Sequence, residues 1–121
     1  MGETNPTIRA SFLLDDAGKP RGRSSGNYEI KISIDGYPRD AYAVTYRLDD
    51  TYYDPVREVH TIDDGFAETV TSYGNYPITA RIRTTSYPVR LRRTLYDALK
   101  ETHENDDEPS ILRALKDIRD N

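Results

Sequence analysis

Apolar and polar side chains alternate with a period of two over much of this chain. In "NYEIKISID", Tyr28, Ile30, Ile32 and Ile34 fall on one side and Glu29, Lys31, Ser33 and Asp35 on the other, as a half-buried strand requires. A turn at "GYPRD" follows, where Gly36 and Pro38 break the ladder, and then Tyr42, Val44, Tyr46 and Leu48 alternate with Ala43, Thr45 and Arg47. "YPITARIRT" sets Tyr76, Ile78, Ala80 and Ile82 against Thr79, Arg81 and Arg83. "TIRASFLL", a short run from Val56 to His60, "GFAETVT" and a weaker "YPVRLR" complete six or seven strands. Turn signals separate them and no parallel crossover helix fits between them, so the pattern predicts a mainly β fold, an antiparallel sandwich.

After about Arg90 the period lengthens. Leu91, Leu95 and Leu99 recur every four residues, and Ile111, Leu112, Leu115 and Ile118 repeat the helical pattern after Pro109. Two short helices are expected, separated by "ENDDEP", with Asp107 as the N-cap candidate of the second. The expected organisation is a sandwich over residues 1–90 and a helical extension over 91–121, packed on or beside it.

Strand counting also places loops. If Ile8 to Leu14 runs upward, the loop holding "DDTYYD" and the turn "SYGN" both emerge at the upper pole, together with the long first loop "DDAGKPRGRSSGN" and its basic "GKPRGR". Tyr52 and Tyr53 lie in one of these loops, Tyr73 and nearby Tyr76 in another. Rings projecting from separate loops can flank a flat or apolar group, or they can cap the end of the core.

Composition narrows the partners. The 121 residues suit one domain, 31% of them are charged, and the net charge of -4 argues against general affinity for nucleic acid or anionic membranes. With no cysteine there are no disulfides, thiolate metal sites or cysteine nucleophile. The opening "MGETNPTIRA" lacks the basic start and apolar run of a signal peptide and no segment reads as a membrane span, so a cytoplasmic location is expected.

The two loops resemble the YEATS family of immunoglobulin-like sandwiches, which in eukaryotes read acylated lysines on histones. The family's leucine, histidine, glutamate, serine, aromatic, two variable residues, proline, one variable residue and arginine correspond to Leu48, Asp49, Asp50, Thr51, Tyr52, Tyr53, Asp54, Pro55, Val56 and Arg57. Its glycine, aromatic, glycine, any residue and aromatic look similar to Ser72, Tyr73, Gly74, Asn75 and Tyr76. The match covers roughly residues 28 to 84. The compact loops and helical tail look most like the prokaryotic YEATS-like domains, which are associated with bacterial defence and signalling.

The resemblance implies a non-catalytic recognition module without a cofactor. Tyr52 and Tyr73 would sandwich an acyl group, the Thr51 hydroxyl would bond its amide, and backbone N–H groups at Tyr73 and Gly74 would receive the amide oxygen. The implied partner is a modified protein or peptide, or a related small ligand. Asp49 stands where the family has a histidine, and Ser72 where it has a glycine. An acceptor-only carboxylate at the slot's edge suits a cationic or hydroxyl-rich ligand better than an imidazole would.

Other chemistry is sparse. The doublets Asp15–Asp16, Asp49–Asp50 and Asp63–Asp64 lack calcium-loop spacing and read as solvated turns. His60 and His103 stand apart from any nucleophile and acid pair, so no enzyme is expected, and His103 reads as a solvated residue in the last turn of its helix. Arg81, Arg83, Arg90, Arg92 and Arg93 would form a stripe on the outer face of one sheet, paired with carboxylates or, at Arg81, Arg83 and Arg92, open to an anion or nucleotide. The helices offer one further surface, an adaptor face for an effector or sensor protein through Leu95, Leu99, Ile111, Leu115 and Ile118.

Overall fold

A computed structural model describes residues 5–22 and 26–121. Two antiparallel sheets face each other across an apolar core. The first joins β1 (Thr7–Phe12), β2 (Tyr28–Asp35) and β5 (Glu68–Ser72) in the order β1-β2-β5. The second joins β3 (Ala41–Arg47), β4 (Val56–Val59), β6 (Pro77–Thr84) and β7 (Val89–Thr94) in the order β4-β3-β6-β7. A one-turn α1 (Asp63–Phe66) and two longer helices, α2 (Leu95–His103) and α3 (Pro109–Asp120), complete an immunoglobulin-like architecture. Among the described residues no helix is long and apolar enough to cross a membrane.

The alternation in β2 holds throughout: Tyr28, Ile30, Ile32 and Ile34 are buried and face Ile78, Ile82, Val44 and Tyr46 of the other sheet within one core. β3 departs from its pattern. The register shifts between Ala41 and Ala43, which turns Tyr42 outward, 52% exposed, and Ala43 inward. An inserted residue reverses the facing of everything on one side of it, and an alternation count has no way to register that. The hydroxyl of buried Tyr46 donates to the Phe66 carbonyl at 2.7 Å, and burial pushes that phenol's pKa up. Phe66 reaches the core through a left-handed run at Asp64, Gly65 and Phe66, so the fifth strand begins at Glu68, later than "GFAETVT" suggested. At Gly65 a Cβ would stand 2.5 Å from the Ile34 carbonyl oxygen, so only glycine fits there.

The change to helix comes at Leu95, four residues beyond Leu91, which is a strand residue paired with Ala80. Thr94 caps α2, accepting the Asp97 N–H at 3.2 Å. α3 is capped by Glu108, one residue after the expected Asp107; its carboxylate accepts the Ser110 N–H and hydroxyl, and Pro109 occupies the first turn. Leu95, Leu99, Ile111, Leu115 and Ile118 all belong to the sandwich core. The stripe that could alternatively have docked a partner is therefore buried within the protein itself, as the packed helical extension required.

His103 is a second correction, since it is only 6% exposed. Its Nε2 accepts the Phe12 N–H at 3.1 Å and its Nδ1 lies 2.7 Å from Asp106. An N–H donor fixes Nε2 as unprotonated, so Nδ1 carries the proton and donates it to the carboxylate. Arg93 is a third. Paired with buried Ile78, it lies on the face of β7 opposite Arg90 and Arg92, and it bonds the Ile8 carbonyl and Thr7 hydroxyl of β1 and Glu101 of α2, closing the side between the two sheets.

Candidate functional site

The "LDDTYYDPVREV" segment forms the loop between β3 and β4. Leu48 N–H donates to the Pro55 carbonyl at 2.7 Å, closing the loop, while Arg57 Nε holds the Asp54 carbonyl at 2.7 Å and its guanidinium faces Glu68 of β5 at 3.6 Å. Within the loop Asp49 acts as a local acceptor. Its Oδ1 receives the Thr51 N–H at 2.9 Å and the Thr51 hydroxyl at 2.8 Å, and both bonds hold its carboxyl below the usual carboxylate range. This turn sends the two adjacent tyrosines in opposite directions. Tyr53 is fully exposed, whereas Tyr52 folds inward with its ring edge-on to Tyr76, centroids 5.5 Å apart.

A short chain of phenols fixes Tyr52. Its hydroxyl bonds the Thr71 carbonyl and stands 3.1 Å from the Tyr76 hydroxyl. Tyr52 has one proton and the carbonyl requires it, so Tyr76 donates to Tyr52. Burial first, and then this donated bond, push the Tyr76 pKa up and keep the phenol protonated.

The facing loop joins β5 to β6. Ser72 Oγ donates to the Gly74 carbonyl at 2.6 Å and accepts the Gly74 N–H at 3.2 Å. The Gly74 N–H, expected to receive an amide oxygen, is thus already engaged. Tyr73 projects outward, 65% exposed. The loop is braced from behind: Asn75 N–H donates to the Asn121 carbonyl at 3.1 Å, and the Asn75 side chain accepts the Tyr96 N–H at 2.8 Å. A Cβ on Gly74 would stand 2.8 Å from the Asn121 backbone, so glycine is required by a close approach and not by a turn.

Between the loops lies a cavity of about 370 Å³. Asp49, Thr51, Tyr52, Tyr73, Gly74 and Tyr76 all line it, so every residue the two sequence motifs nominated comes together at one pole. The long first loop contributes Asn27, whereas its basic stretch is tied back, with Arg21 N–H on the Leu13 carbonyl and its guanidinium 3.9 Å from Glu29. Arg23 lies outside the described residues. Asn27, Thr71 and Asn121 are lining residues that sequence reasoning missed. Nothing local in the sequence ties Asn121 to a loop so far upstream.

A family model for the prokaryotic YEATS domain matches residues 28–96, the span that contains both loops and the strands between them. The chain belongs to the prokaryotic YEATS domain family. Among solved structures it is similar to the YEATS domain of Yaf9, a yeast AF-9 homologue: one structure is 17% identical, with 81% of each chain covered and a TM-score of 0.51. The Yaf9 YEATS domain recognizing an H3K122suc peptide is 18% identical, covering 78% of this chain and 75% of that one at a TM-score of 0.50. No curated protein sequence matches the chain. At these identities the structural likeness establishes the YEATS fold. The family's histidine position is held by Asp49, whose carboxylate is committed to Thr51.

Proposed function

We propose that this YEATS domain is a non-catalytic reader whose polar slot takes an acylated lysine side chain, or a closely related amide, on a protein partner. The observation that carries the reading is the state of Thr51. Its hydroxyl proton is held by Asp49, which leaves the oxygen's lone pairs to accept an N–H from a ligand. Tyr52 and Tyr73 line the same cavity and offer ring faces to an apolar group. An acyl amide supplies one N–H and a flat apolar body, whereas a free lysine ammonium would have to shed its hydration among aromatic rings. The Yaf9 YEATS domain, similar in fold, is seen recognizing an H3K122suc peptide. A place in a bacterial defence or signalling protein is part of the same proposal.

Calorimetric titration with matched acetylated, succinylated and unmodified lysine peptides tests the slot. An acylated peptide should bind at least about tenfold more tightly than its unmodified form, a difference of about 1.4 kcal/mol. Thr51→Val and Tyr73→Ala should each remove most of that preference while the thermal midpoint holds. Equal binding of both peptide forms, or an unchanged preference in folded Tyr73→Ala protein, rejects the reading.

A further inference from the structure

The outward face of the four-stranded sheet carries a second groove, of about 420 Å³, away from the aromatic slot. Strand register arranges its side chains in two cross-strand rows. Thr45, Arg81 and Arg90 lie abreast, and two residues along the strands Arg47, Thr79 and Arg92 lie abreast. Arg81 and Arg90 are direct partners, and like charges directly opposite one another weaken a sheet. Arg83 shows the usual remedy, with Glu58 held at 2.8 Å. Among the described residues Arg47, Arg81, Arg90 and Arg92 have no such carboxylate. Thr45 contributes to the floor of the groove, with its hydroxyl oxygen buried beneath the surface.

We propose that this face binds a small polyphosphorylated anion, of nucleoside polyphosphate size. Guanidinium forks match phosphate oxygens two at a time. The rows stand about 7 Å apart along the strands, so a ligand charged at more than one position bridges both and relieves the Arg81–Arg90 opposition. The groove volume falls in the range of small-molecule sites. A long nucleic-acid strand fits the surroundings poorly. Asp49 and Asp50 join Arg47, Thr79 and Arg92 around the adjoining hollow, Glu58 lies opposite Thr45 on β4, and the whole chain carries a charge of -4. The site is defined by Arg47 and Arg90 together with Arg81 and Arg92, whereas Arg83, grouped with the anion candidates by sequence, is withdrawn into its ion pair.

The full chain is titrated at physiological salt with inorganic tripolyphosphate and with a nucleoside triphosphate, followed by calorimetry and thermal shift, since a ligand of the folded state raises the midpoint. Both probes should bind saturably, and an Arg81→Gln/Arg90→Gln variant should lose at least tenfold in affinity. Its own midpoint, without ligand, should equal or exceed that of the parent, which certifies that it folds. Tighter binding of the nucleotide assigns a nucleotide ligand, and equal binding assigns the polyphosphate moiety alone; both support the proposal. Silence with both probes, undiminished binding by the double variant, loss of tripolyphosphate binding in Tyr73→Ala, or binding of a single-stranded oligonucleotide that tripolyphosphate fails to displace overturns it.

Discussion

Asp49 carries more structure than its position at a slot's edge suggests. The same oxygen that stands in the family's histidine position receives two donors from Thr51, so protonating it would break the turn and free the hydroxyl proton to point elsewhere. Its pKa is depressed in the folded protein, so the stabilisation it gives is present above the ordinary carboxylate pKa and is lost as pH falls through the lower folded value. Peptide affinity at the slot should accordingly stay level from neutral pH down to about pH 4 and fall below it, an outcome read by titrating one acylated peptide across that range. Asp49→Ala should show the weakened affinity at every pH. The Asp-x-Thr spacing is a known local acceptor pattern, so this contact was legible from "LDDTYYD" as a turn signal. The inward turn of Tyr52 and the outward turn of Tyr53 were not, because two identical adjacent residues differ only in the dihedral angles the turn imposes.

At the level of elements, the strands and helices were legible wherever one period ran unbroken, as in β2 and β6. Leu91 shows how the boundary was missed. It fits the helical spacing with Leu95 and Leu99 and equally the inward face of β7, and only its pairing with Ala80 decides. The brace of α3 on the slot loop was invisible for a different reason, since it joins residues almost fifty positions apart through backbone atoms. It gives the helices a role beyond covering the core. Tyr28 donates to Asp117 at 2.5 Å, Asn121 bonds Asn75, and together these set the back wall of the cavity. Gly74→Ala should cost about 1–3 kcal/mol by overpacking. A chemical-denaturation curve shifted to lower midpoint, with slot affinity reduced in the still-folded protein, is the expected result. An unchanged midpoint would mean that Asn121 moves aside freely.

Across the whole molecule, charge is distributed unevenly. A chain of net charge -4 gathers Arg47, Arg81, Arg83, Arg90 and Arg92 on one sheet face against Glu58. The basic stripe was legible in the sequence from strand alternation, and alternation carried through β7 also sets Arg93 on the inward side with Leu91, where it bonds β1; the pairing of Arg83 was not legible, because it meets Glu58 only once β3 lies between β4 and β6. The repulsion within that face should appear as a stability difference that salt can erase. Arg81→Gln/Arg90→Gln protein should melt higher than the parent at low ionic strength, with the gap closing as salt screens the charges. Melting curves at low and high salt provide the measurement.

The two tyrosines of the slot differ in freedom. Tyr52 is fixed by its own hydroxyl and by Tyr76, whereas Tyr73 stands in solvent. A guest entering the cavity therefore meets one stationary surface and one that must be brought to rest, at about 0.5–1.5 kcal/mol of lost side-chain freedom. The breadth of acyl groups accepted would then be set at Tyr73, which can stand nearer or farther as the guest requires. The chemical identity of the amide would be checked at the opposite side, where Thr51 and Tyr52 are already in position before anything arrives.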